Sequence, residues 1–162
     1  MTTLRNSTLV FLIKKDTGSI ADICLAMKKR GFGVGRWNGV GGKVEEGEEI
    51  EDAVVRETQE EISVTPTELE KVAELSFYFP HNPAWDQLVH VYLALAWDGV
   101  PTESEEMNPK WFTVSDIPFS DMWPDDQFWL PTVLQGDMVR ASFTFGEGDV
   151  VLKQDVTIVD AL

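Results

Sequence analysis

Residues 39–64 read GVGGKVEEGEEIEDAVVRETQEEISV, and the remainder of the chain is interpreted outward from this stretch. A turn with three glycines precedes an acidic segment, and an amphipathic run from about residue 49 to residue 62 follows. Acidic residues at the start of that run oppose the positive end of a helix dipole, so they favour a helix N-terminus there. The stretch therefore predicts a glycine-rich turn that leads into an α-helix.

One face of this predicted helix changes from apolar to acidic along its length. Its first half has an apolar stripe, and an overlapping arc of about 100° in its second half holds Glu57, Glu60 and Glu61. Carboxylates crowded toward an interior repel one another and lose hydration, a cost that divalent cations between them would lower. Oxygen ligands without a nearby Cys or His favour Mg²⁺, or alternatively Mn²⁺, over zinc. Charge alone is more typical of a solvated acidic helix face than of a metal site.

The remaining chain is predicted to consist mostly of strands. Expected strands cover residues 7–14, 20–28, 71–79, 87–97, 110–114, 139–145 and 150–159, the last two as a hairpin. Residues 66–70 are expected to turn the chain, and residues 31–42 are too glycine-rich for a regular element. A second helix is expected to begin near Asp125 and to end at Gly136. Strands that pair without helices between them, together with two helices, favour a mixed sheet sandwiched by helices.

The spacing of glycine, arginine and glutamates in the opening stretch resembles the Nudix box. Seven positions are in register with that signature: Gly42, Glu48, Arg56, Glu57, Glu60, Glu61 and Val64. Thr58 stands where an apolar residue is usual, and Ser63 stands where the closing glycine is usual. Because glycine tolerates positive φ and serine does so reluctantly, Ser63 is expected to alter the turn after the helix.

Segments outside the box narrow the resemblance within the Nudix hydrolases. Residues 27–48, MKKRGFGVGRWNGVGGKVEEGE, and residues 122–129, MWPDDQFW, resemble the MutT-like branch that hydrolyses oxidised purine nucleoside triphosphates. The resemblance implies one Nudix domain over residues 1–162, with an α/β fold in which a mixed β-sheet lies in an α/β/α sandwich. It also implies Mg²⁺-dependent hydrolysis of 8-oxo-dGTP and 2-hydroxy-dATP to monophosphate and pyrophosphate, which cleanses the nucleotide pool.

The resemblance further implies roles for individual residues. The metal would be held by Glu57, Glu60, Glu61, Glu106 and the carbonyl of Gly41, Arg56 would orient the glutamates as part of the catalytic set, and Glu60 or Glu61 would act as the general base. The implied substrate-binding residues are Thr8, Lys28, Phe32, Asn38, Val40, Gly41, Gly42, Lys43, Phe77, Trp123, Pro124, Asp125 and Asp126.

Several of these residues also have an ordinary structural explanation. Asp125 can be a helix N-cap, Asn38 a turn residue and Trp123 part of the core. Phe77 lies on a strand face that suits a core as well as a pocket, and Glu106 can be plain surface charge. The functional alternatives are a Nudix hydrolase of ADP-ribose, dinucleoside polyphosphates or O6-alkylated purine nucleotides, and a Nudix-like module that binds nucleotides without catalysis.

Composition restricts the partners and the compartment. A net charge of −15 leaves no broad basic face for a nucleic acid polymer, although a small polyphosphate can bind together with a metal. The single cysteine, Cys24, excludes an internal disulfide and suits a reducing compartment. No stretch approaches the roughly 20 apolar residues of a membrane span, and the N-terminus lacks a signal-peptide pattern. We expect a cytoplasmic monomer that binds a nucleotide and neither a nucleic acid polymer nor a membrane.

Overall fold

A computed structural model describes residues 4–162, which contain a mixed β-sheet and two α-helices. The strands are β1 Arg5–Asp16, β2 Ser19–Lys28, β3 Trp37–Asn38, β4 Thr65–Tyr78, β5 Gln87–Asp98, β6 Met107–Thr113, β7 Met138–Phe145 and β8 Val151–Val159. The helices are α1 Ile50–Ile62 and α2 Asp126–Leu134, and short 3₁₀ segments cover Pro83–Trp85, Val114–Asp116, Phe119–Asp121 and Glu147–Asp149. Within these residues no helix combines the length and the apolarity that crossing a membrane requires.

The strand order places β1 near the centre of the sheet. The order is β3-β2-β1-β5-β4-β7-β8, and β6 pairs with β2. β1 runs parallel to β5 and β4 runs parallel to β7, whereas the other pairs are antiparallel. The segment between β3 and α1 returns to β1 through antiparallel bridges at Val10–Val40 and Ser7–Lys43. This return brings the glycine-rich turn against the central strand.

Side chains of the central strands alternate between two apolar cores, one on each face of the sheet. On β1, Phe11 enters the larger core and Val10 enters the smaller one. α2 covers the larger core with Trp129 and Leu130, and α1 covers the smaller core with Val54. The predicted mixed sheet between helices is therefore confirmed.

The main error of the predicted secondary structure lies directly after α1. A turn at residues 66–70 is wrong, because β4 already begins at Thr65. Pro66 pairs with Trp97 beside a register shift in the β4–β5 ladder, a place where the missing proline N–H is tolerated. The glycine-rich residues 31–42 also contain the two-residue strand β3, which was not predicted. The other strands and both helices lie close to their predicted positions.

The two departures from the box are accommodated in different ways. Thr58 is fully buried, and its Oγ1 donates to the carbonyl oxygen of Val54 at 2.6 Å, so the hydroxyl is satisfied inside the apolar face of α1. Ser63 ends α1 in the left-handed region, with φ 62° and ψ 32°, and its N–H donates to the carbonyl of Gln59 at 3.1 Å. A serine therefore holds a conformation that glycine adopts at lower cost.

Ser63→Gly is expected to raise the free energy of unfolding by about 0.5–1 kcal/mol. The left-handed conformation costs a residue with a Cβ roughly 1–2 kcal/mol, and the greater freedom of glycine in the unfolded chain offsets part of that gain. Urea unfolding monitored by circular dichroism measures the change. Ser63→Ala is the control, because it keeps the Cβ and should give no stabilisation. A glycine variant no more stable than the alanine variant would contradict the assignment of strain to this residue.

Candidate active site

A cavity of about 600 Å³ lies beside the glycine-rich turn. Its wall combines β1, the segment between β2 and α1, the end of β4 with the loop that follows it, and the start of α2. The predicted substrate-binding residues that line it are Thr8, Lys28, Phe32, Asn38, Gly41, Gly42, Lys43, Phe77, Trp123, Asp125 and Asp126. Two others lie outside this wall, namely Val40, whose side chain is buried in the smaller core, and Pro124.

The backbone of the glycine-rich turn lies so close to β1 that a residue with a side chain would not fit there. The N–H of Thr8 donates to the carbonyl of Gly42 at 2.8 Å, and the backbones of Val10 and Val40 exchange two hydrogen bonds. A Cβ on Gly41 would stand 1.9 Å from the carbonyl oxygen of Thr8, so a side chain at this position would displace the turn from the strand. At Gly42 a Cβ would stand 2.7 Å from the carboxylate of Glu57. Glycine at both positions lets the turn contact the strand on one side and the helix carboxylates on the other.

Arg56 is the centre of the glutamate cluster on α1. Its Nε and Nη2 donate to the two carboxylate oxygens of Glu48 at 2.8 and 3.0 Å, and its Nη1 donates to Glu57 at 2.8 Å. Nη2 also donates to the carbonyl of Lys43 at 3.1 Å, and Nη1 lies 3.5 Å from Glu60. The hydrogen bonds from Arg56 lower the pKa of Glu48 to about 2. The guanidinium thus fixes the helix to the turn while it neutralises part of the carboxylate charge.

The expected crowding of carboxylates toward the interior is found for two of the three helix glutamates. Glu61 is 5% exposed, and burial raises its pKa to about 7 despite a 3.2 Å hydrogen bond from the N–H of Gly41. Burial also raises the pKa of Glu57, and repulsion from Glu60 and Glu106 adds to that rise. The side chain of Glu60, by contrast, is 60% exposed. The inner part of the cluster therefore carries negative charge that its protein neighbours do not fully compensate.

The donor set of this cluster suits a hard divalent cation. Within residues 4–162 no three His, Cys, Asp or Glu side chains are already gathered as a metal site. Arg56 engages Glu57 and the turn N–H of Gly41 engages Glu61, so these carboxylates are bonded to the protein instead. Every donor is an oxygen, and burial, with an added contribution from neighbouring carboxylates, raises the pKa values of Glu57 and Glu61. Such a set fits Mg²⁺ or Mn²⁺ better than zinc.

Two buried carboxyl groups lie in the cavity wall at the start of α2. Asp125 and Asp126 are each 3% exposed. Oδ2 of Asp125 accepts a hydrogen bond from Nε1 of Trp129 at 2.9 Å, and Asp125 makes no side-chain cap bond although it precedes the helix. Oδ2 of Asp126 is buried and has no hydrogen-bond partner in the part of the chain that the structure describes. The N-cap explanation for Asp125 therefore does not account for its side chain.

The two buried aspartates hold their protons more tightly than an exposed carboxyl group does. Burial raises the pKa of Asp125 to about 6. Burial, followed by repulsion from Asp125, raises the pKa of Asp126 well above its ordinary value. Both causes disfavour two ionised carboxylates side by side. A pair of adjacent carboxyl groups that shares one proton can donate one hydrogen bond and accept another.

Aromatic rings form much of the rest of the wall, and they also pack against the larger core. The ring of Trp123 stacks on Phe32 with centroids 5.0 Å apart, and Phe77 stacks on Phe143 at 5.8 Å. Trp123 and Phe77 thus belong to the core and to the cavity at once, so the two explanations drawn from the sequence hold together. Oδ1 of Asn38 accepts from the N–H of Gly39 at 2.8 Å, as in a turn, which leaves its amide nitrogen as a donor.

Trp129, Trp85 and Arg36 are among the side chains at this site that were not identified from the sequence. Trp129 bonds Asp125 from one helical turn away, and their spacing of four residues was the available signal. Trp85 lines the cavity from the 3₁₀ segment Pro83–Trp85, and Arg36 lies 4.2 Å from the ring centroid of Trp123. Contacts of Trp85 and Arg36 form between distant loops, and no local pattern predicts them.

The comparison with known proteins agrees with this geometry. The NUDIX domain model matches residues 3–133. The chain belongs to the Nudix family. This Nudix chain is 45% identical over 161 residues to the oxidized purine nucleoside triphosphate hydrolase of Mus musculus, with 99% of each chain covered. It is 43% identical over 140 residues to the protein of that name from Danio rerio, with 86% of this chain and 89% of the relative covered.

A solved structure gives the same result for the fold. The MutT protein from Bacillus halodurans superimposes with a TM-score of 0.81 at 22% identity, over 94% of this Nudix chain and 97% of the other. The family and the fold inferred from the box are therefore confirmed.

The aspartate pair gives this Nudix chain a specific pH dependence of stability. Unfolded aspartates release their protons near pH 4. Above that pH the folded pair binds more protons than the unfolded chain, so the free energy of unfolding should fall as the pH rises. Asp126→Asn cannot release a proton there, and its curve should fall less steeply between about pH 5 and about pH 8.

Chemical unfolding across that pH range, in the presence of a chelator, compares the two proteins. Asp121→Asn, at an exposed aspartate in the segment before α2, is the control and should follow the wild-type curve. Parallel curves for wild type and Asp126→Asn would show that the pair holds no extra proton.

Proposed function

We propose that this Nudix chain hydrolyses oxidised purine nucleoside triphosphates, such as 8-oxo-dGTP and 2-hydroxy-dATP, to the monophosphate and pyrophosphate, and so cleanses the nucleotide pool. The relatives that match nearly the full length or most of the chain carry the name of that activity. The observation that carries the proposal is the buried, unpartnered Oδ2 of Asp126 in the wall of a cavity beside the glutamate cluster. Such an atom costs stability unless a ligand satisfies it, which supports a role in reading the base.

The aspartate pair suits the hydrogen-bonding edge of an oxidised purine. In the proposed complex a protonated carboxyl of the pair donates to the base and its ionised neighbour accepts from it. Asn38 adds a donor through its amide nitrogen, and Trp123 and Phe77 provide apolar walls. Transfer of the shared proton between the two aspartates would reverse donor and acceptor, which would admit either an oxidised guanine or an oxidised adenine.

The phosphates are proposed to lie toward the glycine-rich turn and α1. Lys28 and Lys43 line the cavity and bring positive charge to a chain whose net charge is −15. Thr8 contributes a hydroxyl that also contacts Gly42, with Oγ1 3.4 Å from the glycine N–H. In this proposal Gly41 and Gly42 allow the backbone to approach the phosphates, while Val40 and Pro124 act through the backbone position of their neighbours.

The glutamate cluster is proposed to hold Mg²⁺, with Mn²⁺ as a substitute. The residues that would hold it are Glu57, Glu60, Glu61, Glu106 and the carbonyl of Gly41. Bound divalent cations neutralise phosphate charge and lower the pKa of a bound water molecule. Arg56 keeps Glu57 beside Gly42 and joins it to Glu48, so the proposed role of Arg56 is orientation.

The proposed reaction adds one water molecule across the α–β phosphoanhydride. The water oxygen forms a bond to phosphorus, the bridging P–O bond breaks, and a carboxylate accepts the proton that the water releases. Glu60 and Glu61 are both candidates for this general base. Glu60 is open to solvent, whereas burial brings the pKa of Glu61 to about 7, close to the value that suits proton transfer at neutral pH.

The proposed unit is one domain over residues 1–162 that acts as a monomer. β7 and β8 lie beyond residue 133, where the family match ends, yet β7 pairs with β4 inside the same sheet. Phe145 at the end of β7 lines the cavity, so the last hairpin belongs to the site. Residues of a single chain form both the cavity and the glutamate cluster. A reducing cytoplasm is proposed because the chain has one cysteine, and a free nucleotide rather than a nucleic acid polymer is proposed because of its acidic charge.

Hydrolysis is expected to depend strictly on a divalent cation. Glu57→Gln and Glu61→Gln should each lower kcat by about 10²-fold or more, because each removes a charge that would hold the cation. Millimolar Mg²⁺ should also raise the melting temperature of the wild type, and it should do so less in either variant, since a ligand stabilises the state that binds it.

Pyrophosphate release and thermal unfolding, each with Mg²⁺ and with excess EDTA, measure these effects. Glu68→Gln, at an exposed glutamate on β4, is the matched control and should behave as wild type. Full activity in EDTA would contradict the proposed chemistry.

Base preference is expected to depend on the aspartate pair. Asp125→Asn and Asp126→Asn should change the ratio of kcat/KM among 8-oxo-dGTP, 2-hydroxy-dATP and dGTP by about 5- to 150-fold, since an unsatisfied buried partner costs about 1–3 kcal/mol. The requirement for Mg²⁺ should remain. Asp121→Asn should leave the ratios at their wild-type values.

The same assay should include ADP-ribose, a dinucleoside polyphosphate and O6-methyl-dGTP. A higher wild-type kcat/KM for any of these three than for 8-oxo-dGTP would refute the proposed substrate. Unchanged ratios in both asparagine variants would show that the base is read elsewhere.

A further inference from the structure

Arg36 lies between a ring of the cavity wall and a carboxylate of the last hairpin. Its guanidinium carbon is 4.2 Å from the ring centroid of Trp123. Its Nη1 donates to Oδ2 of Asp149 at 2.9 Å, and both side chains of this ion pair are 28% exposed. Arg36 itself does not line the cavity. It contacts the wall from behind, and Asp149 contacts Arg36 in turn.

The loop that carries Arg36 holds the ring of Trp123 at two further points. Phe32 stacks on the ring with an interplanar angle of 29°. Gly33 lies so close that a Cβ would stand 3.2 Å from Nε1 of Trp123, and its φ of +85° also favours glycine. Across the cavity wall, Phe145 meets the same ring edge-on at 5.9 Å. Three residues of the segment 31–36 thus contact the ring of Trp123.

The backbone at the other end of the ion pair is in a region that most residues with a side chain avoid. Asp149 has φ 61°, in the left-handed region, directly after Gly148 with φ 74°. Aspartate adopts this region more readily than most residues, and a hydrogen bond to its side chain helps to hold it there. The hydrogen bond from Arg36 is the described side-chain contact of Asp149. It therefore connects the turn before β8 to the arginine.

We propose that Arg36 is a positioning residue for base recognition, which holds Trp123 as the wall of the base pocket and is itself held by Asp149. The turn between β7 and β8 is then part of the recognition apparatus although it lies beyond residue 133, where the family match ends. This inference rests on the proposed function in one respect, that the ligand of the cavity is a purine nucleotide.

Kinetics should separate this role from a catalytic one. Arg36→Gln should raise KM for 8-oxo-dGTP about three- to tenfold, because the ring of Trp123 would then have to be held in place at the moment of binding, and the cation–π contact that holds it is worth a free energy of that order. Its kcat should stay within about twofold of wild type, since Arg36 makes no hydrogen bond or ion pair with the glutamate cluster among the described residues.

Asp149 should act through Arg36. Asp149→Asn should raise KM less than Arg36→Gln does, and the double variant should have the KM of Arg36→Gln alone, because contacts in one network are not additive. Arg140→Gln is the matched control. Arg140 also pairs with a carboxylate, that of Glu74 at 3.1 Å, but unlike Arg36 it makes no described cation–π contact with a ring of the cavity wall, so its variant should keep the wild-type KM.

A second measurement needs no substrate. The indole N–H resonance of Trp123, assigned with Trp123→Phe in a ¹H–¹⁵N spectrum, should shift in Arg36→Gln and in Asp149→Asn but not in Arg140→Gln. Asp149→Asn also serves if Arg36→Gln fails to fold.

The outcomes test the inference and the function separately. An unmoved resonance in Asp149→Asn, or a lowered kcat with unchanged KM in Arg36→Gln, would overturn the positioning role. Wild-type protein that does not hydrolyse 8-oxo-dGTP would refute the proposed function, while the resonance shifts would still test how Trp123 is held.

Discussion

The close approach of Gly41 to β1 is the constraint on which the site depends. A carbonyl of the central strand occupies the space that a side chain at Gly41 would need. Because the turn packs directly against the strand, Gly42 can contact the carboxylate of Glu57, and the N–H of Gly41 can donate to Glu61. The start and the inward face of α1 are fixed by these contacts. One backbone contact therefore joins the centre of the sheet to the acidic helix and leaves the cavity open beside them.

The buried carboxyl groups near α1 and those near α2 have different partners. Around α1, Arg56 neutralises Glu48 and Glu57 through charge-assisted hydrogen bonds. Beside α2 no cation forms an ion pair with Asp125 or Asp126 among the described residues, and burial raises the pKa of both carboxyl groups. The hydrogen bonds from Arg56 lower the pKa of Glu48 and oppose the rise that burial gives Glu57, whereas a proton shared by two aspartates would provide a donor and an acceptor. The two ends of the cavity are thus suited to different parts of one nucleotide.

The structural features that could be predicted from the sequence are those that the spacing of nearby residues determines. The box sets the turn, the helix and the burial of Glu57 and Glu61, because these features follow from helical periodicity and from glycine at fixed positions. The exposure of Glu60 depends on where the neighbouring segments end, and the continuation of β4 through Pro66 depends on a bulge against β5. The contact of Arg36 with Trp123 joins loops far apart in the chain. Such features arise from packing and leave no periodic signal.

Electrostatics connect the acidic composition to the chemistry. A triphosphate is strongly anionic, and it must approach a chain with net charge −15. Lys28 and Lys43 offset only part of this repulsion, and salt screens the remainder beyond about 10 Å. Within that distance burial raises the pKa values of Glu57 and Glu61, and repulsion from neighbouring carboxylates adds to the rise. Divalent cations would relieve repulsion among the carboxylates and between protein and phosphate at once, so the same cations that support hydrolysis would also allow the substrate to bind.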